Sequence, residues 1–137
     1  MWTGDALPLV EPRAIEQIWD TVDPLLDRIA DAKVHKEDIY RLCLDGTWML
    51  WVNQIPETGE LTSLAVTEFI EYPQLTNLRV VFLSGDDGDW LSGISIFEKF
   101  ARINQCSEVE IHGRKGWERV LKSGGYEFSH ITLRKRI

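Results

Sequence analysis

Residues 78–90 read LRVVFLSGDDGDW, and the outline of the molecule can be worked out from them. Leu78–Leu83 is leucine, β-branched and aromatic with only Arg79 polar, so it has no solvated face. Such a run predicts a strand at the centre of a sheet covered by helices. Ser84-Gly85-Asp86-Asp87-Gly88-Asp89 is a turn by composition, since Ser, Gly and Asp are turn formers. From Trp90 the period becomes helical: Trp90, Ile94, Phe97 and Ala101 make one stripe that runs to about Gln105. A strand, a glycine turn and a helix N-terminus in succession form an anion site, because backbone N–H groups point outward and the helix dipole favours negative charge. The acids Asp86, Asp87 and Asp89 read as turn and cap residues. A calcium loop does not fit, because Leu91 holds the fifth position counted from Asp87.

Working outward, Glu108–Ile111 is a short strand, Gly116–Lys122 a short helix stopped by Gly124-Gly125, and Tyr126–Leu133 a closing strand. Upstream, Thr47–Val52 and Leu61–Ile70 are strands around the turn Glu57-Thr58-Gly59-Glu60. Trp48 and Trp51 differ by three, which sends their rings to opposite faces. Before them come two helical stretches. One opens at Pro12 with Ile15, Ile18, Trp19 and Val22 inward, and is restarted at Asp23-Pro24; the other is Lys36–Leu44. Ala6–Val10 is a short apolar lead-in or first strand. The order predicts a mixed α/β fold over a single domain, 1–137, whose last part can form a right-handed parallel crossover.

Composition narrows the function. The chain has 137 residues, 15 Lys/Arg and 22 Asp/Glu, for a net charge of −7. Met1–Glu110 carries 8 bases and 20 acids, a balance of −12, whereas Ile111–Ile137 carries 7 bases and 2 acids, a balance of +5. An acidic body with one basic segment excludes broad nucleic-acid affinity and leaves room for a localised anion or for a protein partner. No apolar run approaches the roughly 20 residues that span a bilayer. The N-terminus lacks the pattern of a secretory signal, and two distant cysteines, Cys43 and Cys106, each read as helical, suit a reducing cytoplasm. His35, His112 and His130 are widely spaced and read as isolated residues, so no metal site is expected. Phosphate-loop, zinc-protease and nucleophile-elbow motifs are absent from the sequence.

Two strings, VTEFIEYP (Val66–Pro73) and EIHGRKGWERVLKSGGY (Glu110–Tyr126), together with the element order, resemble the GNAT superfamily of acyl-CoA-dependent N-acyltransferases. The nearer resemblance is to small GNAT-like proteins encoded by bacteriophages. It implies a central mixed sheet of about six strands with helices on both faces. It also implies acetyl-CoA or another acyl-CoA as cofactor, its pyrophosphate on the turn after Leu83 and its pantetheine arm between the splayed strands Leu78–Leu83 and Glu108–Ile111. Carried over, the cofactor contacts are Leu83, Ser84, Gly85, Gly88 and Gly93. Arg114, Lys115 and Arg119 then form a clamp for the ribose 3′-phosphate or for an acidic partner. Transfer to an amine needs a carboxylate or water relay to take the ammonium proton; Glu68 and Glu71 on one neighbouring strand and Glu110 on the other can line the acceptor cleft.

The sequence departs from the family pattern at two places. The turn lacks the usual leading Arg or Gln and adds three acids, and Leu121 stands where a tyrosine often protonates the leaving thiolate. Two functions therefore stay open. One is an N-acetyltransferase acting on an amine of a host protein or small molecule. The other is a catalytically silent member, virion-associated or bound to a host protein, as monomer or homodimer.

Overall fold

The computed structural model describes residues 9–55, 57–85, 89–113 and 116–137, with 89–92 described by backbone alone. Two helices come first, α1 (Pro12–Leu26) and α2 (Lys36–Leu44), then three strands, β1 (Met49–Gln54), β2 (Leu61–Glu71) and β3 (Thr76–Gly85). Helix α3 (Asp89–Ile103), strand β4 (Glu108–Ile111), helix α4 (Gly116–Leu121) and a 3₁₀ turn (Lys122–Gly124) complete the order. The sheet runs β1-β2-β3-β4, antiparallel over its first three strands and parallel between β3 and β4. Helix α3 is the crossover that makes the parallel pair reachable.

Side-chain alternation divides the core in two. Trp51, Ala65, Leu78 and Val80 face α3, where Ile96, Phe97 and Ala101 meet them. The Trp51 indole lies edge-on to both Phe97 and Phe100, at 5.1 and 5.0 Å between centroids, and its Nε1–H donates to Thr67 Oγ1 at 2.8 Å. Leu50, Leu64 and Val66 face the other way and pack under Ile15, Val22, Leu26, Ile39 and Cys43 of α1 and α2. Each fully buried aliphatic or aromatic side chain contributes about 1.5–3 kcal/mol, so these two layers hold the helices to the sheet. Trp48 stands on the α1/α2 face, edge-on to Phe82 at 5.8 Å, opposite to Trp51 as the spacing predicts.

Strand β3 changes phase once. Val66 pairs with Phe82 but Thr67 pairs with Val80, leaving Val81 as an extra residue, a β-bulge. Before it Leu78 and Val80 face α3; after it Phe82 faces α1 and α2 while Leu83 returns to the α3 side. That is how an apolar run supplies both cores.

Several expectations are corrected. The described sheet has four strands, not about six. Residues 126–137 form no strand and are exposed from Glu127 onward. Their β-forming composition is not enough, because a strand exists only where a ladder partner accepts its hydrogen bonds. At the other end Leu9 makes one bridge to Trp51, and Ala6–Pro8 lie outside the described residues. Asp23-Pro24 does not restart α1: Pro24 sits inside its last turn, and Asp23 instead accepts from Lys36 Nζ at 2.7 Å. Cys106 follows α3 rather than lying within it, and both cysteines are free. No helix among the described residues is long and apolar enough to cross a membrane.

Candidate functional site

The site begins where β3 and β4 stop pairing. They are in register only from Asn77 with Glu108 to Val80 with Ile111, and the last bond between them runs from the His112 N–H to the Val80 carbonyl at 3.1 Å. Among the described residues β3 continues to Gly85 paired with β2 alone. The bulge at Val81 falls at the same level, and a bulged residue leaves its backbone groups out of the ladder. An opening between two parallel strands, with unladdered backbone at its apex, is thus built by strand length and one extra residue. On the α3 side it is floored by Ile94, Leu121, Leu83, Ile111, Trp117 and Tyr126.

On the α1/α2 face, beyond the cover of the helices, a polar cluster lies just below the opening. Strand alternation brings Glu68 of β2, Arg79 of β3 and Glu110 of β4 side by side. Arg79 Nη1 is 3.5 Å from Glu68 Oε1, and its Nε donates to Glu110 Oε1 at 3.1 Å. All three side chains are about four-fifths buried, at 21%, 20% and 19% exposure. Trp48 Nε1–H donates to the other Glu68 oxygen. Glu110 Oε2 accepts from the Tyr72 hydroxyl at 2.5 Å and from Asn77 Nδ2 at 2.8 Å. Burial alone would raise the Glu110 pKa, but the hydrogen bonds from Tyr72, Asn77 and Arg79 outweigh it and hold the carboxyl below its ordinary range. Asn77 also donates to Glu108 at 2.7 Å, while its own Oδ1 is buried without a partner among the described residues.

His112, exposed just past the end of β4, lies near enough to this cluster to feel its charges. Partial desolvation, and next the Arg79 charge, push its imidazole below the usual 6.5, with His130 acting in the same sense and Glu110 and Glu68 in the opposite one. In sequence this histidine looks isolated. The missed signal is alternation: Glu108 and Glu110 share one face of β4, and His112 follows two positions on, just past the strand's end.

The other predicted residues fall as follows. Glu71 is exposed at the far end of β2, opposite Thr76, and does not join Glu68 and Glu110. Leu83 packs in the core toward α3, and Gly93 is buried within α3. Ser84 Oγ donates to the Leu25 carbonyl at 2.7 Å, tying the end of β3 to α1. Gly85 has φ +140, and a Cβ there would lie 2.3 Å from Ser63 Cβ, so close strand approach requires glycine. Arg119 is exposed on α4. Gly88, Arg114 and Lys115 lie outside the described residues. Tyr126 donates its hydroxyl to Glu98 Oε2 at 2.8 Å, and burial, with that bond, raises its pKa. No group of three or more His, Cys, Asp or Glu among the described residues is placed to hold a metal ion.

Parallel strands that part around a bulge, α3 crossing between them and helices on both faces make this a GNAT-like fold. Solved acetyltransferases share it. A ribosomal-protein-alanine N-acetyltransferase from Brucella melitensis biovar Abortus 2308 superposes with TM-score 0.69 at 10% identity, over 96% of this chain and 99% of that one. Glucosamine-6-phosphate N-acetyltransferase from Arabidopsis thaliana gives 0.69 at 10% identity, over 96% and 97%. A predicted acetyltransferase from Clostridium acetobutylicum, solved with acetyl-CoA, gives 0.67 at 11% identity, over 96% and 95%. No family model and no curated protein matches the sequence.

Proposed function

We propose that the protein is an acyl-CoA-dependent N-acetyltransferase that transfers acetyl directly to an amine. The observation that carries this reading is the parting of β3 and β4 at the Val81 bulge, directly above the cluster of Glu68, Arg79 and Glu110, with His112 near it. The acyl-CoA arm enters that opening with its phosphates toward the Ser84–Asp89 turn, and Arg114, Lys115 and Arg119 supply positive charge beside it. Unladdered backbone at the bulge is suited to holding the thioester carbonyl. The acceptor approaches over the α1/α2 face. There the carboxylates of Glu68, Glu108 and Glu110 outnumber one guanidinium, an arrangement that favours a cationic amine over an anion.

Among the groups at the opening, His112 is the best proton acceptor. A base works best with a pKa near the working pH, and Glu110 is held ionised by three donors and is a weak one. His112 in its neutral form takes the proton of the ammonium. The amine nitrogen then attacks the thioester carbon, the C–S bond breaks, the nitrogen gives its second proton to solvent as the amide forms, and the CoA thiolate takes one from solvent. Leu121 is buried and offers none.

The test is acetyl transfer from acetyl-CoA to a panel of primary amines, followed by the pH dependence of kcat. With His112 as base, kcat rises with pH through a midpoint somewhat below 6.5, and His112→Gln lowers it about 10²-fold or more. A midpoint in the carboxylate range transfers the role to Glu68. The acids of the turn and Leu121 favour a second reading, a silent GNAT-like protein that binds a host or virion protein. Absence of calorimetric heat with acetyl-CoA at millimolar concentration, with and without Mg²⁺, would decide for it.

A further inference from the structure

Helices α1 and α2 pack side by side on the sheet, and between them lies an open pocket of about 300 Å³. Its wall on α1 is the stripe Glu16, Trp19, Asp20 and Asp23. At about 100° per residue this stripe is roughly a quarter turn round the helix from Ile15, Val22 and Leu26, which face the sheet. The pocket therefore opens away from the sheet, and it shares no residue with the cluster around Arg79. Trp19 meets Tyr40 of α2 edge-on, with centroids 4.7 Å apart and planes at 67°, so one ring keeps both faces clear of the other. Four carboxylates, those of α1 and Glu37, stand around the two rings with one ammonium, Lys36. Lys36 Nζ is already shared between Asp23 Oδ1 at 2.7 Å and Asp27 Oδ1 at 2.8 Å. Glu16, Asp20 and Glu37 have no ion pair among the described residues.

We propose that this pocket holds the arginine side chain of a partner polypeptide. Aromatic walls and unpaired carboxylates together call for a cation that can stack and donate at once. A guanidinium is planar and weakly hydrated, and it stacks on a ring face while its edge donates to carboxylates. A compact ion is less suited. The acids of α1 are strung over about 10 Å from Glu16 to Asp23, and no group among the described residues is placed to hold a metal ion. The volume is at the lower end of the roughly 300–1,000 Å³ of ligand sites, which suits one side chain rather than a whole cofactor. Four carboxylates also repel the α-carboxylate of a free amino acid. The guanidinium is therefore favoured when it arrives on a chain, where neutral peptide bonds stand in that carboxylate's place.

Proton–nitrogen NMR spectra of the full chain, titrated with N-acetyl-arginine amide, test this. The Trp19 indole N–H is identified by its loss in Trp19→Phe. It and the Tyr40 amide should shift and saturate, with a millimolar dissociation constant. Capped citrulline, uncharged but of the same shape, should leave both signals in place, and capped lysine and free arginine should bind more weakly. Glu16→Gln/Asp20→Asn changes two exposed side chains and should raise the dissociation constant about threefold to twentyfold, with the rest of the spectrum unchanged. Absence of a saturable shift at Trp19 overturns the proposal, as do shifts that the double variant leaves intact. Capped citrulline, capped lysine or free arginine binding as tightly as capped arginine overturns it as well. The titration needs no acetyl-CoA, so its outcome is independent of the acetyltransferase reading.

Discussion

Arg79 is the residue on which the cluster depends. Its guanidinium stands between Glu68 and Glu110, and replacing it with methionine keeps the stem but leaves two carboxylates facing each other in a largely buried place. Hydrogen bonds to charged groups are worth about 1.5–3 kcal/mol, and residual exposure screens part of that. Arg79→Met should therefore cost about 1–3 kcal/mol in urea unfolding at neutral pH. The pH dependence has a definite sign. Glu110 has a folded pKa below its ordinary 4.5, so its stabilisation is complete above that value and is lost as pH falls through the folded one. In Glu110→Gln the loss of stability on acidification below 4.5 should be smaller than in the natural chain. None of this pairing is legible in sequence. Arg79 and Glu110 are 31 positions apart and meet only because the parallel register sets Arg79 opposite Glu110. Glu68 and Glu110 are nominated as acids on neighbouring strands, but sequence cannot tell the one locked by three donors from the other. His112 is passed over because a single histidine carries no signal until its strand and face are known.

At the scale of elements, β3 shows what patterning can and cannot specify. Its apolar run reveals a central strand, and the boundaries of α2 and β4 come out at Lys36–Leu44 and Glu108–Ile111 as read. The bulge is invisible beforehand, since an uninterrupted apolar run has no alternation that an extra residue could break. At the end of the same strand, Gly85 reads in sequence as part of a phosphate turn. In the structure it is required by its backbone, because Ser63 Cα would lie 2.8 Å from an added Cβ. Gly85→Ala should destabilise the fold by about 2–4 kcal/mol, strain at positive φ adding to the overlap. Gly46 has φ +84 with nothing within 4 Å of an added Cβ, so Gly46→Ala should cost only about 1 kcal/mol. Paired denaturant curves for the two variants separate backbone strain from overlap. The closing strand fails as an expectation for a different reason: local composition states a preference for extended backbone, and only a neighbouring edge turns it into a strand.

Over the whole molecule, the division of charge into −12 before Ile111 and +5 after it is the feature that the proposed acyl-CoA would have to negotiate. In the proposed function the phosphates of CoA meet a turn written Ser84-Gly85-Asp86-Asp87-Gly88-Asp89, and the bases Arg114, Lys115 and Arg119 are the charges offered to them. A carboxylate about 6 Å from a phosphate charge costs about 0.7–3 kcal/mol at effective dielectrics between 80 and 20. A helix N-terminus offers only about 0.3–1 kcal/mol at an exposed site. On the proposed reading, repulsion by the acids of the turn would exceed the attraction of the helix, and net binding would have to come from the basic segment. Asp86→Asn/Asp87→Asn should tighten acetyl-CoA binding, by about threefold to a hundredfold for each charge removed at low salt. Arg119→Glu should weaken it in the same range. Both differences should shrink at physiological ionic strength, where the screening length is about 8 Å. Calorimetric titration of the three proteins at low and physiological salt measures all of this. Equal affinities at low salt would mean that the phosphates sit away from this turn, and that the charge asymmetry serves some other contact.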